Sequence, residues 1–185
     1  LVRTHTWPYS ASYAQVAMLN WAKKLSETSE IEIIETELPE IMKTSHQVHS
    51  TIYDFTLAYY FQEEFKKAEL VSPIMNELIR HGNEITAEQY QQALKKQEKL
   101  AHTMDNFLQN YDIIISLSTA GEAPLRGEVE QPDPALIWTM THLPVISAPV
   151  FVSPNRLPFG VQLVAMRYND LLLFKFAKYL RSLNL

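Results

Sequence analysis

Residues 133–166, DPALIWTMTHLPVISAPVFVSPNRLPFGVQLVAM, constrain the fold more than any other stretch. Asp133 is a helix-capping residue type with proline behind it, so a short helix is predicted from there through Thr141. Two apolar runs follow, at 145–152 and 159–166, and the turn-rich SPNRLP between them predicts a hairpin. Pro149 has no N–H to give to a strand ladder, so its strand belongs at a sheet edge or carries a bulge there.

Upstream of this stretch, residues 1–8 read as a strand remnant or lead-in loop, and Ser10 as the cap of a helix running to about Ser26. The β-branched run at 31–36, IEIIET, predicts a strand, and helix followed by strand points to an α/β class. A helix is expected over 45–68, with Tyr53, Leu57, Tyr60, Phe61 and Phe65 forming a stripe that faces the core. Ser72-Pro73 starts another helix, and Gly82 is its expected C-terminal cap. Thr86 and Gln89 form a capping box that opens a long helix to about Asn110, packed across a sheet. A buried strand at 112–117 leads into the loop 118–132, and a loop of that length at a strand end is more often functional than connective. A final helix runs from Asn169 to about Arg181. No repeat or linker interrupts the chain, which reads as one unit.

Composition narrows the function. With 46% hydrophobic and 20% charged residues, the chain is that of a folded protein rather than a disordered one. A net charge of −5 and no basic run argue against nucleic-acid binding. No apolar run approaches the ~20 residues of a membrane span. The absence of cysteine excludes disulfides, thiolate catalysis and cysteine-based zinc sites. The chain opens at Leu1 rather than a methionine, which predicts a piece of a longer protein, with the cytoplasm as default compartment.

The segments LPVISAP (143–149), LPFGVQLVA (157–165) and YNDLLLFKFAKYL (168–180) together resemble the C-terminal end of amidase signature hydrolases. RTHTW near the start, GNEITAEQYQQALKKQEKL (82–100) and YDIII (111–115) fall in the same order as that family's corresponding elements. The resemblance implies part of a mixed β-sheet flanked by helices. It also implies hydrolysis of a carboxylic amide to acid and amine by a serine nucleophile, a bridging serine and a lysine base. No cofactor is implied. A neutral lysine base requires burial, and the oxyanion requires backbone amides of a Gly/Ser-rich turn. Neither can be placed here: the four glycines, Gly82, Gly121, Gly127 and Gly160, never adjoin a serine. The catalytic residues are therefore expected outside this chain, which would supply scaffold and pocket wall. Two departures from the family pattern stand out. His142 replaces a usual glycine, implying extra room or a reshaped pocket wall, and Ser118-Thr119 replaces a usual proline.

Thr119, Trp138 and Glu122 are the substrate-pocket candidates, because ligand-lining loops follow strand ends. Glu128 and Glu130 flank the same loop, where a substrate amine or plain solvent are the competing partners. His46 and His49 have a spacing that can share a metal, but no carboxylate is placed beside them and no metal site is assigned. Ser118 and Ser147 lack the G-x-S-x-G context and a base, so neither reads as a nucleophile. Glu63-Glu64 with Lys66-Lys67 form a solvated charge cluster, and Gln162 is expected to make a structural hydrogen bond. The alternative to an amidase part is a non-catalytic binding or assembly module derived from one, with its apolar edges covered by self-association.

Overall fold

The hairpin forms as its turn chemistry requires, and the remaining elements are layered on its two faces. The computed structural model describes residues 1–28 and 30–183. In chain order the elements are α1 (Ser12–Thr28), α2 (Ser45–Tyr60), α3 (Gln62–Phe65), α4 (Pro73–Glu84) and α5 (Ala87–Leu108), then β1 (Ile114–Leu117) and α6 (Leu136–Met140). They close with β2 (Val145–Val152), β3 (Pro158–Val164) and α7 (Asp170–Ser182). The sheet is antiparallel in the order β1–β3–β2, so the most apolar strand is central. β2 is an edge strand among the described residues, and its pairing shifts between Ala148 and Phe151, where Pro149 sits. Both consequences expected of that proline are present.

The two-residue period of the strands divides the sheet into two unlike faces. On one face Ile115, Leu117, Val161 and Leu163 pack against Ala14, Met18, Trp21 and Leu25 of α1 and Leu173 of α7. On the other, Ile114, Val164 and Val145 are cross-strand neighbours, and Met104, Leu108, Ile137 and Trp138 join their cluster. The next rung on that second face is Ser116–Gln162–Ser147, and it is polar across all three strands. The long helix α5 starts with the expected capping box, packs against α2, and fixes α6 through a bond from Gln97 Nε2 to the Met140 carbonyl (3.0 Å).

Several expectations need correction. The run 31–36 forms no ladder. Thr36 makes a single parallel bridge to Val2, and Val2 gives its own N–H to Ile115 O (2.9 Å), so the chain start stands between this run and the sheet. The 45–68 helix is broken at Phe61 into α2, α3 and a 3-10 turn (Ala68–Leu70). Its aromatic stripe does not face the core: Tyr53, Tyr60 and Phe61 are exposed, and only Leu57 is buried. The sides of α2 that α4 and α5 cover instead carry Val48, Asp54 and Ala58. Gly82 is not a cap, because α4 continues to Glu84; it is the contact point between α4 and α2, where a Cβ would lie 1.9 Å from Asp54 O. α6 begins at Leu136 rather than at Asp133, whose Oδ1 instead accepts the Ala135 N–H (2.7 Å) in the preceding turn.

His142 has a different role from the reshaped pocket wall expected of it. It follows α6 with φ +59, the Leu143 N–H bonds Trp138 O (3.1 Å), and the His142 N–H bonds Thr139 O (3.1 Å). This is a Schellman helix stop, and the left-handed residue within it is the position that favours glycine. The side chain is exposed and lies outside the cleft described below. Replacing His142 with glycine is expected to raise stability by about 0.5–1 kcal/mol in urea denaturation, through relief of the left-handed strain.

Candidate functional site

The loop 118–132 turns back across the start of α1 as it leaves β1, and that path creates the main cleft. Ser118 extends the β1–β3 pairing by one bond, from its N–H to Gly160 O (2.9 Å). The loop is then pinned to α1: the Ala11 N–H bonds Ala120 O (2.7 Å), and the Glu122 N–H bonds the Tyr13 hydroxyl (2.7 Å). Gly121 is needed here, since a Cβ would lie 2.6 Å from the Tyr13 hydroxyl oxygen. The Glu122 carboxylate reaches across to the hairpin turn, where it accepts bonds from Ser153 Oγ and from Asn155 Nδ2 (2.6 Å).

Between this loop and the polar end of the sheet lies a cleft of about 1050 Å³. Glu122, Glu128, Glu130 and Asp133 line it, and no lysine, arginine or histidine does so among the described residues. Glu128 accepts from the Leu125 N–H (3.2 Å), while Asp133 is held by its turn. The cleft thus repels anions and accommodates neutral or cationic groups.

Two of the three pocket candidates meet there. Thr119 and Glu122 line the cleft, and the Thr119 hydroxyl donates to Gly121 O (2.7 Å). Trp138 does not. It is 0% exposed, in the core cluster with Leu100, Met104, Leu143 and Val164, and its Nε1 has no partner. Ser118 and Ser147 also line the cleft, without a basic side chain in the lining to activate either. The structural hydrogen bond expected of Gln162 is not made. The residue lines the cleft instead, with its Oε1 buried and unpaired. A lone glutamine between apolar neighbours is the sequence signal that marks it.

The histidines form a chain rather than a metal site, and no cluster able to hold a metal occurs among the described residues. The Asp133 carbonyl can only accept, so His46 Nε2 donates to it (2.9 Å), and His46 Nδ1 hydrogen-bonds His5 Nε2 (2.9 Å). This arrangement ties the start of α2 to the turn before α6. His49 stacks on Tyr53. Burial, then His46 and Lys43, hold His5 below its ordinary 6.5. Burial and His46 likewise lower His49, against opposing pulls from Asp54 and Asp133. A depressed histidine binds its proton more tightly in the unfolded chain. Stability is therefore complete above the unfolded value and falls as pH drops through it toward the folded one. Urea midpoints are expected to decline as the pH falls below about 7, and the double substitution His5→Gln, His49→Gln should flatten that decline.

A helical layer over a small antiparallel sheet is an architecture shared with solved amidases. An amidase crystal structure superposes with a TM-score of 0.81 at 16% identity, over 94% of this chain and 42% of that one. A chain of an inhibitor-bound vestigial protein complex, one that reveals the evolutionary origins of an s-triazine catabolic enzyme, gives 0.84 at 18% identity, over 100% of this chain and 42% of that one. In sequence, a glutamyl-tRNA(Gln) amidotransferase subunit of Brachyspira hyodysenteriae (strain ATCC 49526 / WA1) is 31% identical over 97 residues. That match spans 48% of this chain and 20% of the relative. The model of the Amidase family matches residues 1–174, and the chain belongs to that family. Among the described residues no helix is long and apolar enough to cross a membrane.

Proposed function

We propose that this chain is the C-terminal part of an amide hydrolase and acts as one unit, with its cleft forming a wall of the substrate site. The carboxylic amide is cleaved to acid and amine by a serine nucleophile that lies outside these 185 residues. Thr119 and Glu122 supply polar positions on the wall, while Trp138 holds α6 behind it. The observation that carries the reading is the acidic cleft at the end of β1 in a chain of the Amidase family. A lining free of cations suits an uncharged amide and a departing amine, and disfavours an anionic substrate.

Ammonia release from simple carboxamides tests the proposal. The 185-residue chain alone is expected to release none, and the protein extended by its own upstream coding sequence is expected to turn over. In the extended protein, Thr119→Val and Glu122→Gln should each raise KM about ten-fold, the worth of one or two hydrogen bonds. Serine-dependent turnover by the isolated chain would refute the assignment. An inactive extended protein, together with concentration-dependent self-association of the chain, would instead support the non-catalytic assembly module. The exposed Val152, Leu171 and Phe174 favour that second reading.

A further inference from the structure

Gln162 occupies the middle of the central strand, and its place there is costly. The residue is 6% exposed, Oε1 is buried without a partner, and no hydrogen bond among the described residues uses either end of its carboxamide. A buried polar group left unpaired in a folded protein asks for a reason. Its two neighbours in the rung do not satisfy it: Ser116 Oγ turns to the carbonyl of Leu117 (3.4 Å), and Ser147 is exposed on β2. Gly160 lies two residues before it on the same face and adds no side chain above it. The residue therefore borders the cleft with its hydrogen-bonding capacity unused, its oxygen turned inward and brought to a ligand by rotation about the terminal torsion.

We propose that Gln162 is the amide-recognition residue of the cleft, and that the group it takes is an unsubstituted primary carboxamide. This deepens the amide-hydrolase reading and rests on it. A glutamine side chain offers one acceptor and an NH2 donor pair, and its terminal torsion is broad, so it can present both to a ligand. A primary carboxamide always carries an N–H on the same side as its C=O. Two such groups can pair through two antiparallel N–H···O bonds. A trans secondary amide, the peptide group included, holds its N–H and C=O on opposite sides and can make only one of them. A tertiary amide has no N–H to give. A carboxylate offers acceptors only, and Glu122 and Glu130 repel it.

The test is a titration of the 15N-labelled chain with benzamide, N-methylbenzamide, N,N-dimethylbenzamide and benzoate. The readout is the side-chain NH2 pair of Gln162, assigned by its loss in Gln162→Leu. Benzamide is expected to shift that pair and to bind about ten-fold more tightly than N-methylbenzamide, the value of the second bond. Gln162→Leu should weaken benzamide about ten-fold and leave N,N-dimethylbenzamide unchanged. Gln162→Met, closer to glutamine in shape, is the second variant, and a dispersed backbone spectrum certifies the fold of each.

Gln162 resonances unmoved by benzamide, or equal binding of the N-methyl compound, would overturn the proposal; the latter would assign the site to a peptide group. Benzamide binding that survives both variants would overturn it as well. Failure of the broader reading looks different, because the extended protein would then release no ammonia while the benzamide contact persisted.

Discussion

Replacing Trp138 with alanine is expected to remove about 3–5 kcal/mol of stability, the range for emptying a large buried aromatic site. The indole is fully buried where α6 meets the cluster of Leu100, Met104, Leu143 and Val164, so the cavity is enclosed on every side by groups that cannot simply close over it. Trp138 O also receives the Leu143 N–H of the helix stop, which ties the side chain's position to the turn into β2. Trp138→Phe is expected to cost far less. It keeps most of the contact area and removes the unpaired Nε1–H, whose burial is itself unfavourable. Urea denaturation of both variants checks this. A loss under about 1 kcal/mol for the alanine variant would mean that Trp138 faces open space rather than core.

Gly160→Ala is the second large effect, expected to cost about 3 kcal/mol or more, at the upper end of overpacking. The added methyl would lie 2.0 Å from the Ala148 carbonyl oxygen, 2.8 Å from its carbon and 3.0 Å from Pro149 Cα. All three are backbone atoms of the bulge, so no flexible side chain can yield. β2 must separate from β3 or change register, and either disturbs the floor of the cleft. Gly127→Ala is the control. Its φ of +95 strains a side chain, but nothing lies within 4 Å, so a loss of only about 1 kcal/mol is expected. A loss at Gly160 no larger than that at Gly127 would show that β2 yields to the added methyl and that close approach does not govern Gly160.

Local chemistry made some of this molecule readable. The Thr86–Gln89 box, the Ser72 cap and the proline in β2 each act through atoms a few residues apart, and each appears where its chemistry demands. What the sequence hid depends on distant partners. The aromatic residues of α2 fit helical spacing, yet spacing does not reveal which side meets another helix, and α4 and α5 chose the side with Asp54. Gly82 looks like a helix stop until the close approach of α2 is known. Within the site, Thr119 and Glu122 follow from the loop's position after β1. Trp138, nineteen residues further than Thr119 along the same segment, has already passed into the core. Gln162 is visible in sequence as a lone polar residue between apolar neighbours, but its alignment with Ser116 and Ser147 and its lack of a partner emerge only from three strands in register.

The anchoring of the loop 118–132 bears on how the cleft selects its guests. Bonds donated by Ala11, Ser153 and Asn155, and one accepted by the Tyr13 hydroxyl, hold residues 120–122 before any ligand arrives. Binding against that part of the rim carries little ordering entropy, and a guest of the wrong outline cannot induce a better one there. Selectivity is then partly written in positions that never touch the guest. Asn155, thirty-three residues beyond Glu122, is one of them: a change there would reshape the rim from the far side of the hairpin.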